Sequence, residues 1–256
     1  MLGVEEPSVR DRASGLSPEG WARVGGLLYL VIFVTAFAAM GIESKVVVEN
    51  NAAATAGHII ASQTLWRTAI ALQVLMYGCD FALAAILYVL LRPVSAGMSL
   101  MAAFFRLGEA VIGTLTLLWQ FTPLFLLGGS PYLKVFAPEQ LQAFALLSVK
   151  LFDRGFAIAL VPFGIHCALV GYLIFKARYF PKTLGVLLGI GGAGYVVNSL
   201  AIFTAPAISD LLFPWILLPG FFAEVGLCLW LIFVGVNIPK WNERIASLGL
   251  ASQANL

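Results

Sequence analysis

Six polar residues stand inside long apolar runs of this sequence: Asp80, Arg106, Glu109, His166, Asn198 and Glu224. Carboxylic acids, a guanidinium and an imidazole in apolar surroundings are the groups that acid–base chemistry or the holding of a charged ligand requires. An acid that keeps its proton in an apolar pocket is a proton donor. Asp80, Glu109 and Glu224 are therefore the candidate catalytic residues. Arg106, His166 and Asn198 are the candidate ligand-binding residues, with Arg106 suited to hold a carboxylate or an anionic part of a ligand. No metal site and no cofactor is expected.

The elements that position these groups follow from composition. Of 256 residues, 61% are hydrophobic and 11% charged, against about 25% charged in an average soluble domain. Such a chain cannot cover itself with polar groups in water, but a bilayer does not ask it to. The apolar runs predict an all-α integral membrane bundle of six transmembrane helices, at about 21–41, 64–91, 98–127, 152–175, 183–204 and 211–236. A helix starting at Pro138-Glu139-Gln140 is expected to run straight into the fourth span, and residues 52–62 to form a short helix on the outer surface. Three regions result: a disordered cytoplasmic tail over 1–20, the six-helix transmembrane domain over 21–238, and a cytoplasmic tail over 239–256. The first 20 residues lack the basic start and short apolar core of a signal peptide, so the first helix is expected to stay as an anchor.

Lys and Arg are enriched on the cytoplasmic side of membrane proteins. Arg10, Arg12, Arg23, Arg92, Lys176, Arg178, Lys182, Lys240 and Arg244 fall on one side of six spans, and Lys45, Arg67, Lys134 and Lys150 on the other. Both termini are accordingly expected in the cytoplasm.

A helix rises about 1.5 Å per residue, so depth can be counted from the cytoplasmic ends. Asp80, twelve residues before Arg92, lies ~18 Å deep. Glu109 lies at ~17 Å with Arg106 a turn lower, His166 at ~15 Å and Glu224 at ~18 Å. The hydrocarbon core is about 30 Å thick, so four spans place polar groups in one layer near its middle. Asn198 sits higher, at ~24 Å. A charge at the bilayer centre costs at least roughly 2.5–3.5 kcal/mol, which calls for a shared explanation.

Arg106 and Glu109 are three apart and are expected to pair on one helix face. One arginine cannot neutralise three acids. Either some carboxyls carry protons or a cation — a protonated His166, a metal ion, a bound amine — completes the site. The competing reading is that buried polar groups merely glue helices together, but three carboxylates for one arginine is poor glue.

Other motifs carry less. Gly189-Ile190-Gly191-Gly192-Ala193-Gly194 matches a dinucleotide-binding fingerprint, yet it lies within a span with no strand before it. Gly185, Gly189 and Gly192 read instead as a small-residue stripe for close helix packing. Cys79, Cys167 and Cys228 read as buried apolar side chains, Asp153-Arg154 as an ion pair or a loop anchor at the outer boundary, His58 as solvated, and Gln73 and Gln120 as lining an outer entrance. A net charge of +2 without basic runs argues against nucleic acid. No convincing repeat relates the two halves.

The segments Gly26–Leu30 (GLLYL), Asp80–Val94 (DFALAAILYVLLRPV), Phe105–Ala110 (FRLGEA), Phe136–Leu141 (FAPEQL), Gly171–Lys176 (GYLIFK), Pro181–Leu188 (PKTLGVLL) and Tyr195–Leu200 (YVVNSL), in this order, resemble those of a bacterial multi-pass membrane family, domain of unknown function 4386. The resemblance covers about 23–237. It implies a helical protein of a prokaryotic inner membrane and names no activity. Asp80, Arg92, Arg106, Glu109 and Asn198 fall within its recurring segments.

These features suit a polar midplane cavity that binds a small or lipophilic ligand, with the lipid bilayer as the other partner. The alternatives are an intramembrane enzyme using a carboxylic acid on a lipophilic, isoprenoid-like substrate, a small proton-coupled transporter and a structural subunit. The apparent lack of broken helices speaks against transport.

Overall fold

A computed structural model describes residues 16–253 of the chain, with side chains to residue 248; most of the expected N-terminal tail lies outside the described residues. Helix α1 (Pro18–Val46) starts earlier and ends later than the apolar run. Ser17 Oγ accepts from the Gly20 amide at 3.1 Å, and Pro18 and Glu19 complete a favourable first turn. The helix continues past Gly41 through what reads as polar loop, because Val46 has a core to enter with Ile59 and Trp66.

Helix α2 (Ala52–Ala61) is capped by Asn51 and lies against the next helices. Its Thr55 hydroxyl exchanges hydrogen bonds with the backbone of Val48. His58 is exposed, with a ring nitrogen 3.2 Å from the Val46 carbonyl. Helices α3 (Gln63–Leu91) and α4 (Ala96–Leu126) match the second and third predicted spans within two residues at each end.

Helix α5 (Pro138–Ala177) is one unbroken 40-residue element, about 60 Å long and so about twice the hydrocarbon thickness. Helix α6 (Lys182–Thr204) is the fifth span. A short helix α7 (Pro206–Leu212) precedes the sixth span, overlapping the expected 211–236 only at its last two residues, and the span itself is a 3-10 turn at Trp215–Leu217 running into α8 (Leu218–Phe233). Proline has no amide hydrogen to donate, and Pro206 and Pro219 sit in the first turns of α7 and α8 with Pro214 between them, where no helical hydrogen bond is lost; Pro162 stands inside α5 without ending it. The last turn-and-helix segment, Trp215–Phe233, is still long and apolar enough to cross a membrane, making six such spans among the described residues. Helix α9 (Ile238–Gln253) follows.

The six spans form a ring in chain order: α1 packs on α3, α3 on α4, α4 on α5, α5 on α6, α6 on α8, and α8 back on α1. Apolar burial does not drive helices together in lipid, so close backbone approach must. Glycines supply it. A Cβ on Gly171 would lie 2.6 Å from the Gly185 carbonyl oxygen and 2.7 Å from the Gly189 nitrogen, and one on Gly26 would lie 2.8 Å from the Ile232 nitrogen. The glycine fingerprint is thus helical packing surface. Gly192 faces Gly164 on α5 while Gly191 and Gly194 face Gly220 and Ile216.

With six crossings, the start of α1 and helix α9 share one end of the ring, where Gly235 lies beside Glu19. This is the proximal end; the opposite, distal end carries α2.

Candidate functional site

All six spans send polar or aromatic groups to the axis of the ring. Arg106 of α4 is 1% exposed, and one terminal nitrogen (Nη2) forms an ion pair with Asp80 of α3. The other terminal nitrogen (Nη1) lies 3.5 Å from the hydroxyl of Tyr29 on α1 and 3.2 Å from Nε2 of His166 on α5. The guanidinium carbon is 5.2 Å from the Tyr29 ring centre and 5.4 Å from that of Phe163. A planar cation with rings nearby and a carboxylate at its edge is held in a fixed orientation.

His166 Nδ1 is 2.8 Å from the Ala102 carbonyl oxygen. A carbonyl only accepts and a guanidinium only donates. The imidazole must then donate from Nδ1 and accept at Nε2, which makes it neutral. His166 does not supply the missing positive charge.

The expected Arg106–Glu109 pair does not form. The two share a helix, but Arg106 is engaged across the α3–α4 interface by Asp80, and Glu109 is left with a buried Oε2 that has no hydrogen-bond partner. Glu109 lies within electrostatic reach of Asp80, Arg106 and Glu224. Glu224 of α8 accepts from the Tyr195 hydroxyl of α6 at 2.6 Å. Asn198 stands apart. Buried, with its Oδ1 unpartnered, it lines a cavity of about 440 Å³ together with Arg154, Ser209 and Asp210.

A second polar layer lies distal to the first, and the sequence pattern exposed only part of it. Gln73 of α3 and Gln120 of α4 each donate to Glu43 of α1, and Gln73 also donates to Gln120 at 3.0 Å. Trp66 Nε1 donates to the Gln120 carbonyl at 2.9 Å. Glu43 escapes a reading that ends the first helix at Gly41. The signal that would find it is the helical run of buried Thr35, Ala39 and Val46, whose spacing carries the helix past Glu43. Between the layers stands Tyr77, its ring against Gly113 and its buried hydroxyl unpartnered. Gln73, Tyr77 and Asp80 fall at i, i+4 and i+7, one face of α3.

A cavity of about 580 Å³ opens at the distal end, lined by Glu43, Trp66, Gln120, Lys150, Asp153 and Arg154 among others. None of Asp80, Arg106, Glu109, His166 or Glu224 lines that cavity or the Asn198 cavity. Asp153 and Arg154 do not pair with each other: the ion pairs among the described residues are Glu19–Arg23 and Asp80–Arg106. Neighbours on a helix point about 100° apart, so consecutive residues do not face one another. Among the described residues no three His, Cys, Asp or Glu side chains converge as metal ligands.

Six apolar spans closing around a buried polar axis define a multi-pass helical membrane protein. Residues 24–235 match the family described as "Domain of unknown function (DUF4386)", and the chain belongs to that family. It is also similar to an uncharacterised protein of Archaeoglobus fulgidus, 31% identical over 161 residues, which are 63% of this chain and 80% of that relative. No solved structure matches.

Proposed function

We propose that this protein binds a small amphipathic ligand that enters from the distal cavity and directs a cationic or hydrogen-donating head towards Glu109. The observation that carries this reading is the unpartnered Glu109 Oε2, in a layer whose one arginine already faces Asp80 and whose histidine is neutral. A buried acceptor without a donor costs roughly 1–3 kcal/mol, and a ligand donor removes that cost. A volume near 580 Å³ is in the range of small-molecule sites. The Glu43–Gln73–Gln120 layer forms the floor that the ligand crosses, and Tyr77 the step beneath it. The Lys and Arg distribution orients the proximal end, with both termini, towards the cytoplasm of a prokaryotic inner membrane.

The test is mass spectrometry of lipid extracts from purified wild-type, Glu109→Gln and Glu43→Gln proteins. A co-purifying molecule present in wild type and depleted in both variants is the expected result. An identical extract from all three overturns the reading.

A proton-coupled transporter is the second reading. Substrate and ion sites of such transporters lie near the bilayer midplane, the level counted for Asp80, Glu109 and Glu224, although α7 precedes the sixth span and does not break it. Liposomes in which no flux of the co-purifying molecule follows an imposed pH gradient would exclude it.

A further inference from the structure

The proximal end holds a cavity of about 1180 Å³, walled by the end of α5, the start of α6, the α3–α4 connection and α9. We propose that this cavity binds a phosphate-bearing anion through Lys176, Arg178, Lys182, Lys240 and Arg244. Glu243 is the one acid on its lining.

The walls are built, not loosely apposed. Trp241 of α9 is buried edge-on against Tyr179, with ring centres 5.0 Å apart, and the Tyr179 hydroxyl donates to the Leu90 carbonyl at 2.8 Å. Arg244 donates to the carbonyls of Pro93 at 3.0 Å and Val94 at 3.1 Å, tying α9 to the α3–α4 connection. Enrichment of cations at one membrane face explains their number. It does not explain why a helix folds back after the last span to add two more to a space already holding three, since like charges brought together repel. An anion in that space turns the repulsion into attraction.

Arg178 adds an independent sign. It closes α5 in the left-handed region, φ 61° and ψ −20°, where glycine is the usual residue because a side chain there is unfavourable. An arginine at this position carries a backbone cost and returns a guanidinium to the cavity. Lys176 and Lys182 lie over the rings of Tyr172 and Phe175, at 5.8 and 5.4 Å. Forked guanidiniums together with ammonium point charges match tetrahedral phosphate oxygens. At this level the phosphate belongs either to an anionic lipid headgroup or to a soluble phosphate compound.

The test uses full-length protein in detergent. Native mass spectrometry compares retention of phosphatidylglycerol with phosphatidylcholine, and calorimetry measures inorganic pyrophosphate. The variant is Arg178→Gly with Lys240→Gln; glycine suits the positive φ, so the fold is retained. A control of equal charge change, Lys45→Gln with Lys134→Gln, sits at the distal end. One anion should bind to wild type and to the control, and bind the variant roughly thirtyfold more weakly. Loss in the lipid arm assigns a headgroup, and loss in the pyrophosphate arm a soluble phosphate. Should the double variant not fold, Lys182→Gln is measured against the same control, with a smaller loss of roughly fivefold expected. Absence of binding by either anion, or equal binding by variant and control, overturns the proposal.

Discussion

Nε2 of His166 lies 3.2 Å from the Arg106 guanidinium, and that contact makes the histidine an acceptor. The imidazole joins α5 to α4 twice, once through Arg106 and once through the Ala102 carbonyl. It therefore orients the one buried cation of the layer without adding charge to it. A cation brought near Glu109 would meet an environment with acid in excess.

His166→Phe keeps an aromatic ring, somewhat larger than imidazole, and removes both hydrogen bonds. It leaves an arginine donor and a carbonyl unpartnered in the bundle, so it should lower stability by about 1–3 kcal/mol. Thermal unfolding in detergent, followed by circular dichroism, measures this. Nitrogen chemical shifts of labelled wild-type protein should show a neutral imidazole with its proton on Nδ1. A doubly protonated ring would contradict the geometry.

The Asp80–Arg106 pair predicts a double-mutant cycle of definite sign. Asp80→Ala strands a buried guanidinium, and Arg106→Met strands a buried carboxylate. Each should cost about 3–5 kcal/mol. The double replacement removes both charges and should cost less than the sum of the two single ones. Additive losses in unfolding would show that the ion pair does not couple α3 to α4.

Glu109 should behave in the opposite way. Its Oε2 makes no hydrogen bond that a mutation can break, so Glu109→Gln should shift the unfolding free energy by less than about 1 kcal/mol. The contrast with Asp80→Ala separates a binding group from helix glue. If both replacements unfold the protein alike, the midplane acids are structural.

How much of this was legible beforehand follows from what each signal contains. Hydropathy located α3, α4 and α6 closely because their ends carry polar residues, prolines or glycines. It began the sixth span at 211, not at Trp215, because apolarity alone does not register Pro214 among Leu, Phe and Trp. Counting residues put Asp80, Glu109, His166 and Glu224 at one expected depth, since helical rise is fixed, and Arg106 does touch both Asp80 and His166. The count also placed Asn198 higher, and the cavity it lines with Arg154 is consistent with that. Depth says nothing of helix rotation or of which spans adjoin. The Asp80–Arg106 pair and the acceptor role of His166 were out of reach for that reason, and Glu43 was missed because the first helix was ended at Gly41 and not at Val46.

The glycines of α6 allow a sharp comparison within one motif. A methyl at Gly192 would collide with the Gly164 carbonyl and lie 2.7 Å from the Ala168 nitrogen, whereas one at Gly189 meets nothing within 4 Å. Gly192→Ala must push α5 and α6 apart and should destabilise by about 1–3 kcal/mol. Gly189→Ala gains helix propensity of up to about 1 kcal/mol without a clash, so it should be neutral or stabilising. Both glycines belong to the stretch that imitates a nucleotide fingerprint, and a phosphate-cradling loop would need both of them. Unfolding temperatures of the two variants, measured side by side, decide the matter: equal sensitivity at both positions would be incompatible with the packing described for α5 and α6.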